Sequence, residues 1–312
     1  MQGLRGKIDA LIESQLADWK LAADNYDQLN RLKTREVDID GFKVRLQCNP
    51  ERVRSCAARV DKESIEARPC FLCGAPPEQK CVSYSPAFDI MVNPYPIFSK
   101  HLTIKSTRHQ PQRIKLFFDE MLRMAVDLKD WFVFYNGPQC GASAPDHFHF
   151  QAAKSAELPL WKNLKWALRR VICESDETTL YDIVDFPSPT LLIKSTDITE
   201  AAILFEQIMA LLPKQQDSTE PKMNLLSWTE NKVIYCCVFL RETLRPQCFY
   251  AENPVDNFMI SPATVEMAGL IVLPREEDFE RIGKDDIRKV YSDVGYDFKK
   301  YSAFLKTLKQ TL

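Results

Sequence analysis

The stretch that most restricts what this chain can fold into is His147-Phe148-His149-Phe150-Gln151, where polar and aromatic side chains alternate. In a β-strand successive side chains leave opposite faces, so the histidines and the glutamine share one face and the phenylalanines the other. Two phenylalanines facing a core would hold the strand rigidly while three polar groups project together, as a site of fixed geometry requires. The whole chain of 312 residues has four histidines, and two of them are here. A half-exposed edge strand with polar residues outward produces the same alternation.

The surrounding pattern predicts an α+β protein with antiparallel sheet. A first helix is expected over residues 6–31 and a strand over 36–47, turning at Asp40-Gly41. Residues 48–80 read as irregular. Strands are expected at 81–92 and 101–106, a helix over 113–129 at apolar spacing, and a strand at 131–136. The loop NGPQCGASAPD leads into a strand beginning at His147. A basic helix is expected at 159–172, then two short strands in 177–195 and a helix at 198–213. Strands at 223–229, 232–240, 256–261 and 267–273 and two C-terminal helices complete the chain. This order loosely echoes the first half. Prolines in FPSPTLLIKSTD place a boundary near 186–197, giving units 1–190 and 191–312. PKQQDSTEPK (213–222) reads as a polar loop, and Lys162, Lys165, Arg169 and Arg170 as a solvated helix face.

Neutral histidine is both a metal ligand and a nucleophile. Cys70 and Cys73, in RPCFLCG, have the spacing with which two thiolates grip one zinc, and two histidines would complete a tetrahedral site. If zinc takes one of His147 and His149, the other remains free for catalysis. Two unrelated buried thiols would read the same way. The loop from Asn136 through Gly141 to Ser143 could bring backbone amides and two polar side chains to a phosphate, although glycine-bearing turns between strands are common.

Several classes are disfavoured. A net charge of −2 without a basic run argues against nucleic acid. The longest apolar run, Val233–Leu240, is strand-length and does not suit a bilayer span. The N-terminus is charged throughout, unlike a secretion signal. Ten cysteines scattered over a long chain suggest reduced thiols and a cytoplasmic location.

The motif His147-x-His149-x-Gln151 resembles that of the histidine-triad superfamily's transferase branch. That branch contains galactose-1-phosphate uridylyltransferase, dinucleoside tetraphosphate phosphorylases and GDP-hexose phosphorylases. CGASAPDH is similar to the glycine/serine loop of those phosphorylases. NPYPIFSKHLTIKSTRHQPQ resembles the segment with one histidine before a strand and one after it. SPATVEMAGLIVLPREEDF resembles the closing segment of GDP-hexose phosphorylases, and the combination resembles a bacterial subgroup of the branch. The likeness is close over residues 43–153 and loose beyond.

The resemblance implies two histidine-triad-like domains, the second a degenerate copy without histidine. It implies a nucleotidyltransferase or phosphorylase. A nucleoside monophosphate would pass from a nucleoside diphosphate sugar, or a dinucleoside polyphosphate, to phosphate or a sugar 1-phosphate. His149 would be the nucleophile and Gln151 would bond the phosphoryl oxygens. Gln cannot supply a proton, and the hydrolytic branch has histidine there, which argues against a hydrolase. Zinc would be held by Cys70, Cys73, His109 and His147. His101 would support phosphate binding. Asn49, Arg52 and Arg54, in NPERVRS, and Arg241 and Arg245, in FLRETLRPQCF, become candidate phosphate or base contacts. Some members of the branch form homodimers that complete the site. One residue departs from the pattern: Ser143 lies four positions before His147 rather than three, with Asp146 the extra residue. The alternatives are a non-catalytic zinc-containing nucleotide-binding protein and a nucleotide hydrolase.

Overall fold

A computed structural model describes residues 3–154, 157–213 and 220–312; most of the polar stretch 213–222 lies outside them. The N-terminal helix expected over 6–31 is two helices, Leu4–Asp18 and Lys20–Leu29, because Trp19 is extended (φ −116°, ψ 98°). The break re-aims the second helix. Tyr26 then reaches the His101 backbone carbonyl at 3.0 Å, and Asn25 donates to the Pro94 carbonyl at 2.7 Å.

β1 (Thr34–Ile39) and β2 (Phe42–Cys48) form the expected hairpin. Its two turn residues, Asp40 and Gly41, have φ 53° and 98°, the left-handed pair that a two-residue hairpin turn requires. The strand expected over 81–92 is two, β3 (Cys81–Ser85) and β4 (Phe88–Val92), since Pro86 brings no N–H to a ladder. β5 (His101–Ser106), the helix Phe118–Asp127, β6 (Trp131–Asn136) and β7 (His149–Lys154) follow. The basic helix is confined to Leu160–Trp166, and Arg169 and Arg170 instead open β8 (Arg169–Glu174). β9 (Thr178–Ile183), β10 (Thr190–Ser195), the helix Ile198–Leu211, β11 (Met223–Glu230) and β12 (Val233–Leu240) come next. The proline-bearing stretch at 186–189 connects β9 to β10. No strand forms at 256–261, where turn and side-chain partners replace a ladder: Asn257 N–H donates to the Asn253 carbonyl and Phe258 N–H to that of Cys248, Asp278 accepts from Met259 N–H, and Arg275 donates to the Asn257 carbonyl. β13 (Leu270–Leu273) precedes three rather than two C-terminal helices, Glu276–Arg281, Lys284–Val294 and Phe298–Thr311.

Ten strands join in one antiparallel sheet of order β3-β4-β5-β7-β6-β11-β12-β10-β9-β8. Each half of it runs first, second, third, fifth, fourth, with a helix between the third and fourth strands. The halves meet where β6 pairs with β11, Asn136 opposite Asn224. The expected duplication is therefore present, as one continuous sheet. All four histidines lie in the first half. A smaller sheet, β1-β2-β13, has β13 parallel to β2.

One face of the large sheet carries helices and a core containing Phe88, Tyr135, Phe148, Phe150 and Phe205. The other carries the small sheet and the C-terminal segment over Phe132, Phe134, Leu226 and Phe239. The phenylalanines of the motif thus face a core, as the alternation predicts. Each is fully buried, so truncating either to alanine should cost about 3–5 kcal/mol. Among the described residues no helix is long and apolar enough to cross a membrane, and all ten cysteines are free thiols.

Candidate functional site

β7 opens at His149, not at the expected His147. His147 sits in the bend before it, its N–H bonded to the Ala144 carbonyl at 3.1 Å. The two histidines therefore part company. His149 lines a cavity of about 650 Å³, together with Gln151. His147 is turned to Cys70 and Cys73.

The His149 ring is buried, with Nδ1 2.9 Å from the His147 carbonyl. A carbonyl only accepts, so Nδ1 carries the proton and Nε2 keeps a lone pair. Burial depresses the imidazole to about 4, which keeps it neutral near pH 7.

Gln151 takes its orientation from below. His101 is completely buried, its Nε2 2.8 Å from Gln151 Oε1, while its Nδ1 accepts from the Ile97 N–H. Nε2 therefore bears the proton and donates. Burial pushes His101 down to about 3. Asn93 Nδ2 donates to the same Oε1 at 3.4 Å. With its oxygen held by two donors, Gln151 presents its NH2 to the cavity. His101 itself is not in the cavity wall; it reaches the site through Gln151.

Asn136, at the end of β6, is fixed in the same manner. Its Oδ1 accepts from Thr264 N–H (3.0 Å) and Thr264 Oγ1 (2.7 Å), and the side chain lines the cavity. The loop after it includes Gly141 at φ +99°, where a Cβ would stand 2.5 Å from that of Ala263. Gly141 and Ser143 both line the cavity. Asp146, the extra residue, pairs with Arg68 at 2.9 Å, and the same Arg68 nitrogen donates to the Ser143 carbonyl at 3.2 Å. The longer loop is thus clamped from the segment that carries the cysteine pair.

Arg52, Arg54 and Arg245 line the cavity with Arg59 and Arg68; five arginines stand against Glu51 and Glu266. Arg52 donates to the Tyr95 carbonyl, and Arg245 to the carbonyls of Cys56 and Ala58. Two expected contacts lie outside the wall. Asn49 is buried and its amide holds the Pro96 carbonyl. Arg241 is 2% exposed and gives its N–H groups to Asn224 Oδ1 and to the carbonyls of Val294, Pro262, Thr243 and Leu244. It braces the second half of the sheet and faces no ligand.

Cys70, Cys73, His109 and His147 present ligand atoms within 4.8 Å of one another. Three of the S···N separations, Cys70–His147, Cys73–His109 and Cys73–His147, are 3.2 to 3.4 Å, close to the roughly 3.5 Å edge of a tetrahedral thiolate–imidazole zinc site. His147 Nε2 donates to the Ser106 carbonyl at 2.9 Å, leaving Nδ1 free as a ligand, as metal-binding histidines are commonly oriented. These four residues fit a metal ion.

Sequence reasoning missed Arg68, Asn93, Gln112 and Thr264. Arg68 adjoins Pro69-Cys70 and could have been suspected on that ground; the others carry no local signal.

Residues 11–154 match the family model described as Domain of unknown function (DUF4922), and residues 165–312 match the GDPGP1-like, C-terminal domain. The chain is similar in fold to yeast Ap4A phosphorylase Apa2. Against the complex with AMP the TM-score is 0.58 at 14% identity, over 91% of this chain and 97% of that one. Against the complex with Ap4A it is 0.57 at 14% identity, over 89% and 96%. No curated protein sequence matches significantly. The chain thus shares its fold with an Ap4A phosphorylase and its C-terminal half with the GDPGP1-like domain.

Proposed function

We propose that the protein is a nucleotidyltransferase of the phosphorylase type. It moves a nucleoside monophosphate from a nucleoside diphosphate sugar, or a dinucleoside polyphosphate, to phosphate or a sugar 1-phosphate. The observation that carries this reading is the His149 ring: its Nδ1 proton is spent on the His147 carbonyl, and it lies on the wall of a cavity with five arginines.

In the first step the Nε2 lone pair attacks the α-phosphorus. The bond from phosphorus to the bridging oxygen breaks, and its electrons leave on the departing phosphate. In the second step an oxygen of the acceptor phosphate attacks the same phosphorus and the P–N bond breaks, restoring neutral His149. Splitting the displacement in two lowers each barrier. The leaving group is stable as an anion, which suits Gln151, an amide unable to give a proton. Gln151 and Asn136 direct N–H groups at the equatorial oxygens, and the arginines offset their charge. Most of the rate comes from holding the anion in line with Nε2.

Cys70, Cys73, His109 and His147 would hold zinc. A closed four-ligand zinc site supplies folding energy rather than an open coordination position. On this reading it crosslinks the cysteine segment to the approach of β7.

Intact mass after incubation with a panel of nucleoside diphosphate sugars and dinucleoside polyphosphates tests the proposal. An acid-labile gain of one nucleoside monophosphate, absent in His149→Ala, is the expected result. Nucleotide binding without an adduct or turnover would favour a non-catalytic binding protein. Free nucleotide accumulating at the same rate with and without an acceptor would favour a hydrolase.

A further inference from the structure

The β6–β7 ladder runs from Trp131↔Lys154 to Phe134↔Gln151 and then stops, two residues short of Asn136 and His149. In that gap lies a side chain. Gln112 is completely buried. Its Nε2 donates to the Asn136 carbonyl at 3.1 Å and to the His149 carbonyl at 2.9 Å. Its Oε1 accepts from the His149 N–H at 2.9 Å. One primary amide thus satisfies both backbone groups of His149 and bridges them to the neighbouring strand. A primary amide offers two donors and an acceptor in one plane, and all three are used.

Gln112 is itself anchored. Its N–H donates to the Pro145 carbonyl at 2.9 Å, and two residues earlier the Gln110 carbonyl accepts from Phe148 N–H. The segment 110–112 therefore runs beside 145–149 and takes the place of a ladder where β7 begins. The ring of His149 depends on this arrangement, since its Nδ1 bonds to the His147 carbonyl across a backbone whose next N–H and C=O are set by Gln112. An ordinary ladder would draw Asn136 and His149 into direct pairing. The inserted amide holds them apart, at the place where both side chains line the cavity.

We infer that Gln112 is a positioning residue that fixes the backbone of His149, and with it the direction of the Nε2 lone pair, relative to Asn136. This rests on the proposed role of His149 as nucleophile. Gln112 touches no ligand; it is not in the cavity wall.

The test uses the full chain and has two independent arms. The first reads the His149 ring without any reaction. With four histidines in the chain, the ring N–H protons of 15N-histidine-labelled protein can be assigned by substitution, the His149 Nδ1–H signal being the one missing in His149→Ala. In Gln112→Leu that signal should be lost to exchange or displaced, while the buried His101 Nε2–H signal persists. A His149 signal unchanged in Gln112→Leu overturns the inference. If Gln112→Leu loses the His101 signal as well, it has failed to fold. Gln112→Asn, which keeps the amide one methylene short, then decides by the same criterion.

The second arm is the single-turnover rate of nucleotidyl-His149 formation. It should fall about 100-fold in a folded Gln112 variant, the scale of a 1 Å misplacement, with affinity for the nucleoside monophosphate changed less than about threefold. Rate and affinity falling in parallel would mark a general loosening and overturn the inference. Wild-type protein that forms no adduct sinks the proposed function alone, because the first arm is read without substrate.

Discussion

His101 Nε2 stands 2.8 Å from Gln151 Oε1, beneath a glutamine that lines the cavity while the histidine is wholly enclosed. The pair works as donor and acceptor only in one sense, since His101 Nδ1 is already taken by the Ile97 N–H. The imidazole thereby decides which end of the Gln151 amide meets a ligand.

A first prediction follows from that polarity. Gln151→Ala removes a positioned donor and should slow adduct formation by about 100-fold, the usual scale for an anion-stabilising hydrogen bond. Gln151→Glu keeps the shape and the acceptor for the His101 Nε2 proton but replaces the NH2 with an anionic oxygen facing the phosphate, and should slow it further. His101→Leu leaves the amide in place without its guide, and about a tenfold loss is expected. Single-turnover mass spectrometry ranks the three. A His101→Leu rate equal to wild type would mean that Asn93 alone orients Gln151.

A second prediction concerns acid stability. Burial holds His149 at about 4 and His101 at about 3, below the ordinary 6.5 of an unfolded histidine. The unfolded chain binds these protons first as pH falls, so stability is intact above about 6.5 and declines from there towards about 3. Each shift amounts to a few kcal/mol over that window. The urea midpoint should therefore fall between pH 6.5 and 4, and His149→Asn should flatten the decline. A midpoint independent of pH over that range would contradict the burial of both neutral rings.

How much of this was open to sequence reading depends on whether a residue's role is local. The faces of β7 were legible because strand alternation is local: Phe148 and Phe150 are core, and His149 and Gln151 look into the cavity. The departure of His147 from that face was not, since it follows from the bend that puts its N–H on the Ala144 carbonyl; only the resemblance set its role apart from that of His149. The division of 81–92 was available from Pro86. Arg241 misled because a guanidinium carries no mark of burial, and two of its four carbonyl acceptors, Pro262 and Val294, come from the C-terminal segment. Gln112 and Thr264 are ordinary residues whose work is set by long-range contacts with Asn136 and His149. The duplication was faint in sequence because the second half carries no histidine and shares only strand order and the helix between its third and fourth strands.

A third prediction addresses the metal cluster. Elemental analysis of purified protein should find about one zinc per chain. Chelation should lower Tm. Because thiolates and neutral imidazoles are the ligands, retention should fail progressively as pH drops and protons compete. Cys70→Ser/Cys73→Ser should abolish binding; full zinc occupancy in that double variant would refute the ligand set.

The last prediction separates the two arginines of FLRETLRPQCF. Arg241 is buried and spends its donors on four carbonyls and Asn224, and Asn224 in turn donates to the Cys140 carbonyl at 2.7 Å. Arg241→Met leaves those oxygens without partners in a dry interior, at about 1–3 kcal/mol for each that stays unsatisfied. A loss on the order of 3 kcal/mol or more is expected, seen as a lower Tm with activity falling only as the protein unfolds. Arg241→Lys should recover little, since one ammonium cannot span the fork of acceptors. Arg245 instead lines the cavity and is half-buried. Arg245→Met should cost less stability and weaken nucleotide affinity about tenfold, with the difference narrowing at high salt as screening removes its attraction for phosphate. Thermal melts and nucleotide titrations at two ionic strengths read both effects, and an Arg241→Met protein with wild-type Tm but weakened nucleotide binding would reverse the assignment.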